Sequence, residues 1–279
     1  MVALLIIPCN LSNIMVLIMK GMIHKNIHIL IANLSVGDSL LCITLAVSTL
    51  LQAGKRSALP MAGLFYAASV FTSLAITMDR YLKVRYGLRY HQIVTKKRVA
   101  IFVVLLWTLS VVVSLLPAKL SQEPSHSALS VRSVSIMCSA VMISVSIWVR
   151  RVRNRIATEI EKRNEYFGVN GEKVSIMRRM RKAVREIMQL SFVTATLIII
   201  GSTFVILHCT FKSGILGMIS FHANLAYFLS NPFLYAIVMK DIRSFYATFF
   251  QRIVEAVRPR SLPTPKTELQ LQPVERMES

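Results

Sequence analysis

ALPMAGLFYAASVFTSLAITMDRYLKVR, residues 58–85, decides the fold of this chain. From Ala58 to Met78 it carries no charge. About 20 mostly apolar residues are what a helix needs to cross a hydrocarbon core roughly 30 Å thick. The run stops abruptly on Asp79-Arg80-Tyr81 and a basic flank, Lys83 and Arg85. Outward from it, similar runs occupy 2–19, 27–50, 98–117, 128–149, 187–208 and 214–238, so with 58–82 the sequence predicts seven membrane spans. The first run has no basic leading region and is interrupted by Pro8 and Asn10, so it is not read as a signal peptide. The expectation there is a very short amino end, or a sequence lacking its natural start.

Composition agrees with these spans. Of 279 residues, 54% are hydrophobic and 16% charged, with a mean hydropathy of +0.56; a soluble domain carries about 25% charge. That excludes a purely soluble enzyme. The net charge of +20 would suit a nucleic-acid binder only if the basic residues formed one exposed face. They are instead sorted by span. Lys20 and Lys25, the 83–98 loop, the 150–186 connection and the stretch after span 7 hold nearly all of them. The alternate loops hold only Lys55, Arg56, Lys119 and Lys212, while Arg80 and Arg132 sit near membrane boundaries. Basic loops stay cytoplasmic, so the amino end is expected outside and the tail inside, with no role for nucleic acid. Four cysteines are too few for a disulfide-dense fold. No nucleophile–base set or metal-ligand cluster is evident, His24 and His28 lacking further ligands, so an enzyme is not expected.

Within the spans, polar residues are the informative ones, because charge at membrane depth is costly and tends to be functional. Asp38 is the only acid well inside a span and has Ser35 and Ser39 beside it. It reads either as a bundle contact or as an ion or proton site. Asp79-Arg80-Tyr81 sets adjacent opposite charges at a helix end, which taken singly read as a solvated local pair. Asn231-Pro232-Phe233-Leu234-Tyr235 breaks span 7 near its basic end, as a plain kink or as a hinge. Spans 5 and 6 are expected to continue beyond the bilayer as basic amphipathic helices, with Ile176, Met177 and Met180 on one face. That face serves either membrane snorkelling or a cytosolic partner. Asn10 and Asn33 match the glycosylation tripeptide but lie inside spans, so neither is expected to be modified.

In order along the chain stand Asn13, Leu34-Ser35-Val36-Gly37-Asp38, Asp79-Arg80-Tyr81, Trp107 with Pro117, and Asn231-Pro232-Phe233-Leu234-Tyr235. Together they make the chain resemble the rhodopsin-like (class A) G-protein-coupled receptors over nearly all of residues 10–253. The 78–98 stretch and Ile206-Leu207-His208-Cys209 look most like adenosine receptors, with melanocortin receptors next. The resemblance implies an all-α membrane protein, a seven-transmembrane bundle with a short amphipathic eighth helix beginning at 240–245. It implies a receptor domain over 1–250 and a cytoplasmic tail over 251–279, which its prolines mark as disordered. It also implies a plasma-membrane location, a heterotrimeric G protein and arrestin as cytoplasmic partners, and an extracellular ligand.

Residue by residue, the resemblance makes Asp79, Arg80, Tyr81, Asn231, Pro232 and Tyr235 the coupling and activation switch. It puts Ala62, Tyr66, His208 and Asn224 in a ligand pocket, and Asp38, Ser69 and Asn231 at an allosteric sodium site; no other cofactor is implied. The departures are specific. Ala62 stands where aminergic receptors carry an acid, and no asparagine occurs over 190–210, where adenosine receptors use one. Neither monoamines nor tight adenosine binding is therefore expected. The bridge between helix 3 and the second outer loop has no cysteines to form it. Span 6 lacks the Cys-Trp-x-Pro element, and Tyr227 replaces an asparagine or serine of the sodium site, which should weaken it. With no acid in the basic 178–185 run to hold Arg80, raised basal activity is expected. Lys55, Arg56, Lys119 and Lys212 point to a small anionic or lipid ligand. The alternatives are a seven-helix transporter or proton-moving protein using Asp38, and a receptor relative that no longer signals.

Overall fold

A computed structural model describes residues 3–19, 21, 26–50, 55–121, 124–167, 171–238, 243–248 and 251–252. The expected disordered tail lies almost wholly outside the described residues. Seven long helices follow one another: α1 (Ala3–Met19), α2 (Asn26–Leu50), α3 (Lys55–Tyr86), α4 (Lys96–Ser121), α5 (Pro124–Phe167), α6 (Gly171–Phe211) and α7 (Gly214–Val238). A 3-10 turn, Gly87–Arg89, and one turn of helix, Tyr90–Ile93, join α3 to α4. Among the described residues, five helices are long and apolar enough to cross a membrane: the bodies of α2 to α6. A shorter apolar helix covers Ile6–Met19, and α7 is 25 residues long with Pro232 inside it. Residues 243–248 are helical again.

Neighbours in sequence are neighbours in space. α1 packs on α2 and α7, α5 on α4 and α6, and α6 on α7, while α3 touches α2, α4, α5 and α6 from the middle of the ring. The distribution of side chains is the reverse of a soluble protein's. Val104, Met137 and Ile215 are 64%, 69% and 72% exposed, which is tolerable only against lipid. Serine and threonine line the inside: Ser35, Ser69, Thr72, Ser73, Thr77, Ser135 and Ser139 are all buried. Small side chains let helices approach closely where lipid gives no hydrophobic drive for association. Their hydroxyls are satisfied locally, as Ser135 donates to the Val131 carbonyl at 2.6 Å and Ser139 to the Ser135 carbonyl at 2.8 Å. All four cysteines are free thiols.

Two connections bear on function, and in the first the helices run on past the spans as expected. α5 and α6 take up nearly all of the 150–186 connection as helix, so only 168–170 separate them. The side chains of Ile176, Met177 and Met180 lie outside the described residues. The α6–α7 connection is equally tight. Lys212 turns the chain at φ 51, its N–H donates to the His208 carbonyl at 2.8 Å, and His208 Nδ1–H donates to the Ser213 carbonyl at 2.7 Å.

Candidate functional site

Three polar clusters lie along α3, one at the basic end, one in the middle and one at the opposite end. At the basic end Asp79 is buried, and its Oδ2 stands 4.0 Å from Arg80 Nε. Its Oδ1 accepts a hydrogen bond from the Tyr90 hydroxyl. The helical turn at 90–93 thus folds back to hold the acid, with Lys83 over the Tyr90 ring at 5.9 Å. Burial, and then the adjoining Asp79 carboxylate, push the Tyr90 phenol above its ordinary pKa. Tyr81 turns away from Arg80 and packs on Trp148 of α5, ring centroids 4.8 Å apart. Thr77 donates to the Ser191 hydroxyl at 3.2 Å, tying α3 to α6 one turn deeper.

In the middle, Asp38 of α2, Ser69 of α3 and Asn231 of α7 meet, as the resemblance implies. Ser69 donates to Asp38 Oδ1 at 2.6 Å, and Asn231 Nδ2 donates to Oδ2 at 2.9 Å. A hydroxyl has one proton, so Ser69 must accept from Tyr227, 2.9 Å away. Tyr227 in turn accepts from Ser73 at 3.2 Å. The result is a directed chain, Ser73 to Tyr227 to Ser69 to Asp38, with every member buried. A sodium ion there would need oxygen lone pairs turned toward it. Ser69 and Asn231 instead present N–H or O–H to the carboxylate, and the Tyr227 hydroxyl fills the space beside them, so this donor set fits a cation poorly. A proton carrier fits no better, since both carboxylate oxygens are engaged inside a sealed core. Pro232 is buried next to Asn231; the Tyr235 side chain lies outside the described residues.

The opposite end holds what the sequence reading underrated. Arg132 of α5 reaches inward, its guanidinium carbon 3.6 Å from the centroid of the Tyr66 ring. Its Nη1 donates to Asn224 Oδ1 at 2.7 Å. Asn224 donates onward to the Ser220 carbonyl at 2.7 Å, and the Tyr66 hydroxyl pairs with Ser202 of α6 at 3.2 Å. Four helices therefore converge on one cation. Ala62 is half-buried on α3 one turn from Tyr66. His208 stands apart, its Nδ1 engaged by Ser213 and its ring against Gly217. The cluster also touches the middle one, as Tyr66 meets Tyr227 edge-on at 6.2 Å and Phe228 at 5.8 Å.

Trp107 binds the α2–α3–α4 seam. Its Nε1 donates to Asn33 Oδ1 at 2.9 Å, and Asn33 Nδ2 donates to Thr72 at 2.8 Å. The two asparagines of the glycosylation tripeptides are both engaged within the bundle, Asn10 on the Ile6 carbonyl at 3.1 Å. Sequence reasoning missed Tyr90 and set Arg132 aside as a boundary residue. An arginine one turn inside an apolar run was the available signal for the second.

The family model described as 7 transmembrane receptor (rhodopsin family) matches residues 9–235. An alpha-1A adrenergic receptor of Oryzias latipes is 45% identical over 58 residues, 21% of this chain and 12% of the relative. An adenosine receptor A2b of Gallus gallus is 44% identical over 50 residues, 18% of this chain and 15% of the relative. The human melanocortin receptor 3 is 26% identical over 114 residues, 35% of each. The matched stretches thus span about a third of these relatives' length or less.

Proposed function

Because this chain belongs to the rhodopsin family of seven-transmembrane receptors, we propose that it passes an extracellular signal to a heterotrimeric G protein at its basic end. The observation that carries this reading is the buried Tyr227–Ser69–Asp38–Asn231 chain. It joins α2, α3 and α7 at the level where a change in helix packing would be felt at both ends, and interior networks of this kind have discrete rather than graded arrangements. Arg80 meets the G protein once its loose 4.0 Å contact with Asp79 is given up. Asp79, Tyr81, Asn231, Pro232 and Tyr235 support the two states. The protein is a plasma-membrane receptor with its amino end outside, since the basic loops favour the cytoplasm. Arrestin uses the same basic face, and the helical stretch 243–248 lies along the inner leaflet as part of a short eighth helix.

We infer further that adenosine is not its tight ligand, because the pocket offers Arg132 and Asn224 and no asparagine over 190–210. Sodium is held weakly, if Tyr227 keeps its hydroxyl in the core, and basal activity is correspondingly raised. An ion stabilises a state only through its differential affinity for it.

Nucleotide exchange by a panel of G proteins, in nanodiscs carrying this chain, tests the reading. The expected result is exchange without added ligand that Arg80→Ala strongly reduces and that adenosine leaves unchanged. Silence toward every G protein would favour a relative that has lost signalling.

A further inference from the structure

Arg132 is a cation placed among four helices, and among the described residues no carboxylate stands opposite it. The acids of this chain lie elsewhere. Asp38 is in the sealed core, Asp79 at the basic end, and on the Arg132 side of the bundle the sequence holds only Glu123, which is outside the described residues. A guanidinium has five N–H donors. Among the described residues Arg132 engages one of them, on Asn224. Its face rests on Tyr66, which fixes the plane of the fork but leaves its edge open. The side chain is only half-buried.

Charge at this depth without a counter-charge is costly, and such residues mark binding sites or ion paths by default. A path is excluded by what lies below, where Tyr66, Tyr227 and Phe228 close the interior. The remaining role is recognition. Arginine is the side chain best shaped for a planar two-oxygen anion, gripped by two parallel N–H bonds. One guanidinium, with no second buried cation beside it among the described residues, balances one negative charge. That disfavours a doubly charged phosphate monoester, and the planar two-oxygen match favours a carboxylate.

Resting on the receptor reading above, we propose that the ligand of this protein is a monocarboxylate whose carboxyl group is held in a bidentate pair by Arg132. Tyr66 supports the guanidinium, and Asn224 is the internal acceptor that the ligand supplements or displaces. Because Tyr66 lies edge-on against Tyr227, occupation of the site bears directly on the Ser69–Asp38 chain. The carboxyl belongs either to a small soluble acid or to a fatty acid entering from the bilayer, and Lys119 and Lys212 at the same end favour either.

Binding is tested without a G protein, so that its failure is separable from a failure to couple. The full chain in nanodiscs is melted with benzoate at about 20 mM, in excess of the millimolar affinity expected of so small a ligand, with benzamide as the uncharged control. Oleate and its methyl ester form the second arm. The expected result is a rise in melting temperature of about 3 °C with at least one of the acids and none with its neutral partner. Arg132→Gln should erase the rise, and Arg132→Lys, which keeps the charge but loses the fork, should shift half-saturation about tenfold higher. A response to benzoate assigns the site to soluble acids, and a response to oleate alone assigns it to lipid. No rise with either acid, an equal rise with benzamide or methyl oleate, or an undiminished rise in Arg132→Gln would overturn the proposal. Should Arg132→Gln not fold, an unshifted half-saturation in Arg132→Lys would do the same.

Discussion

Arg80 and Arg132 stand at opposite ends of one helix bundle, and they are compensated in different ways. Arg80 has its carboxylate next to it in the chain, at a loose 4.0 Å, and that carboxylate is itself held by Tyr90. Arg132 has an aromatic face from α3 and an amide oxygen from α7, and its partners exist only because the helices converge. The first arrangement travels with its own helix and can exchange one partner for another. The second is an unfinished ion pair, open to an anion from outside. Between them lies the opposite case, a carboxylate with both oxygens engaged and no access at all.

The comparison breaks most visibly if the middle is removed. Asp38→Leu strands Ser69 and Asn231 without their acceptor in a dry core, and should destabilise the protein by about 3 kcal/mol, read as a drop of several degrees in melting temperature. If the variant melted like the wild type, the two ends would not be joined through this chain. Arg80→Ala comes next. It should reduce G-protein exchange on the order of tenfold while the benzoate or oleate response at Arg132 persists. Loss of both together would mean that the ends are not separable.

Tyr227→Phe sharpens the comparison at about 1 kcal/mol, since it removes two hydrogen bonds but keeps the ring against Tyr66 and Phe228. By opening the space beside Ser69 it should also make exchange sensitive to sodium. Exchange that stays indifferent to sodium chloride against choline chloride would show that the tyrosine hydroxyl is not what fills the site.

The smallest effect concerns pH. Burial and the Asp79 carboxylate raise the Tyr90 phenol above its ordinary value of about 10. A group raised in the folded state contributes stability fully below its unfolded pKa and loses it as pH climbs through the folded one. The difference in melting temperature between wild type and Tyr90→Phe should therefore be small and constant from about pH 6 to 9. Above about pH 10 the gap should shrink, and a gap that stays unchanged there would place the phenol near its free value and the contact in solvent.

The polar residues of the middle were legible beforehand. Asp38, Ser69 and Asn231 were expected together from the resemblance and do converge, each at a matching depth in its helix. The same reasoning placed His208 and Asn224 in one pocket. The structure joins Asn224 to Arg132 but turns His208 to the α6–α7 connection, where the left-handed Lys212 brings the Ser213 carbonyl within reach. Tyr90 escaped notice because its partner is eleven residues back across a reversal of the chain. Arg132 was seen and passed over, since a boundary arginine ordinarily snorkels to water.

Hydropathy and charge are properties of single residues that add along the chain. For that reason the sequence alone determined the spans, the sorting of basic loops to one side, the family motifs and the isolation of Asp38. Which groups face one another depends on how far each helix is rotated and where it crosses its neighbours, and no local sum contains that. Only the tertiary structure decided that Tyr227 completes the Asp38 chain, that Tyr90 holds Asp79, and that Arg132 points into the bundle instead of out to the lipid headgroups.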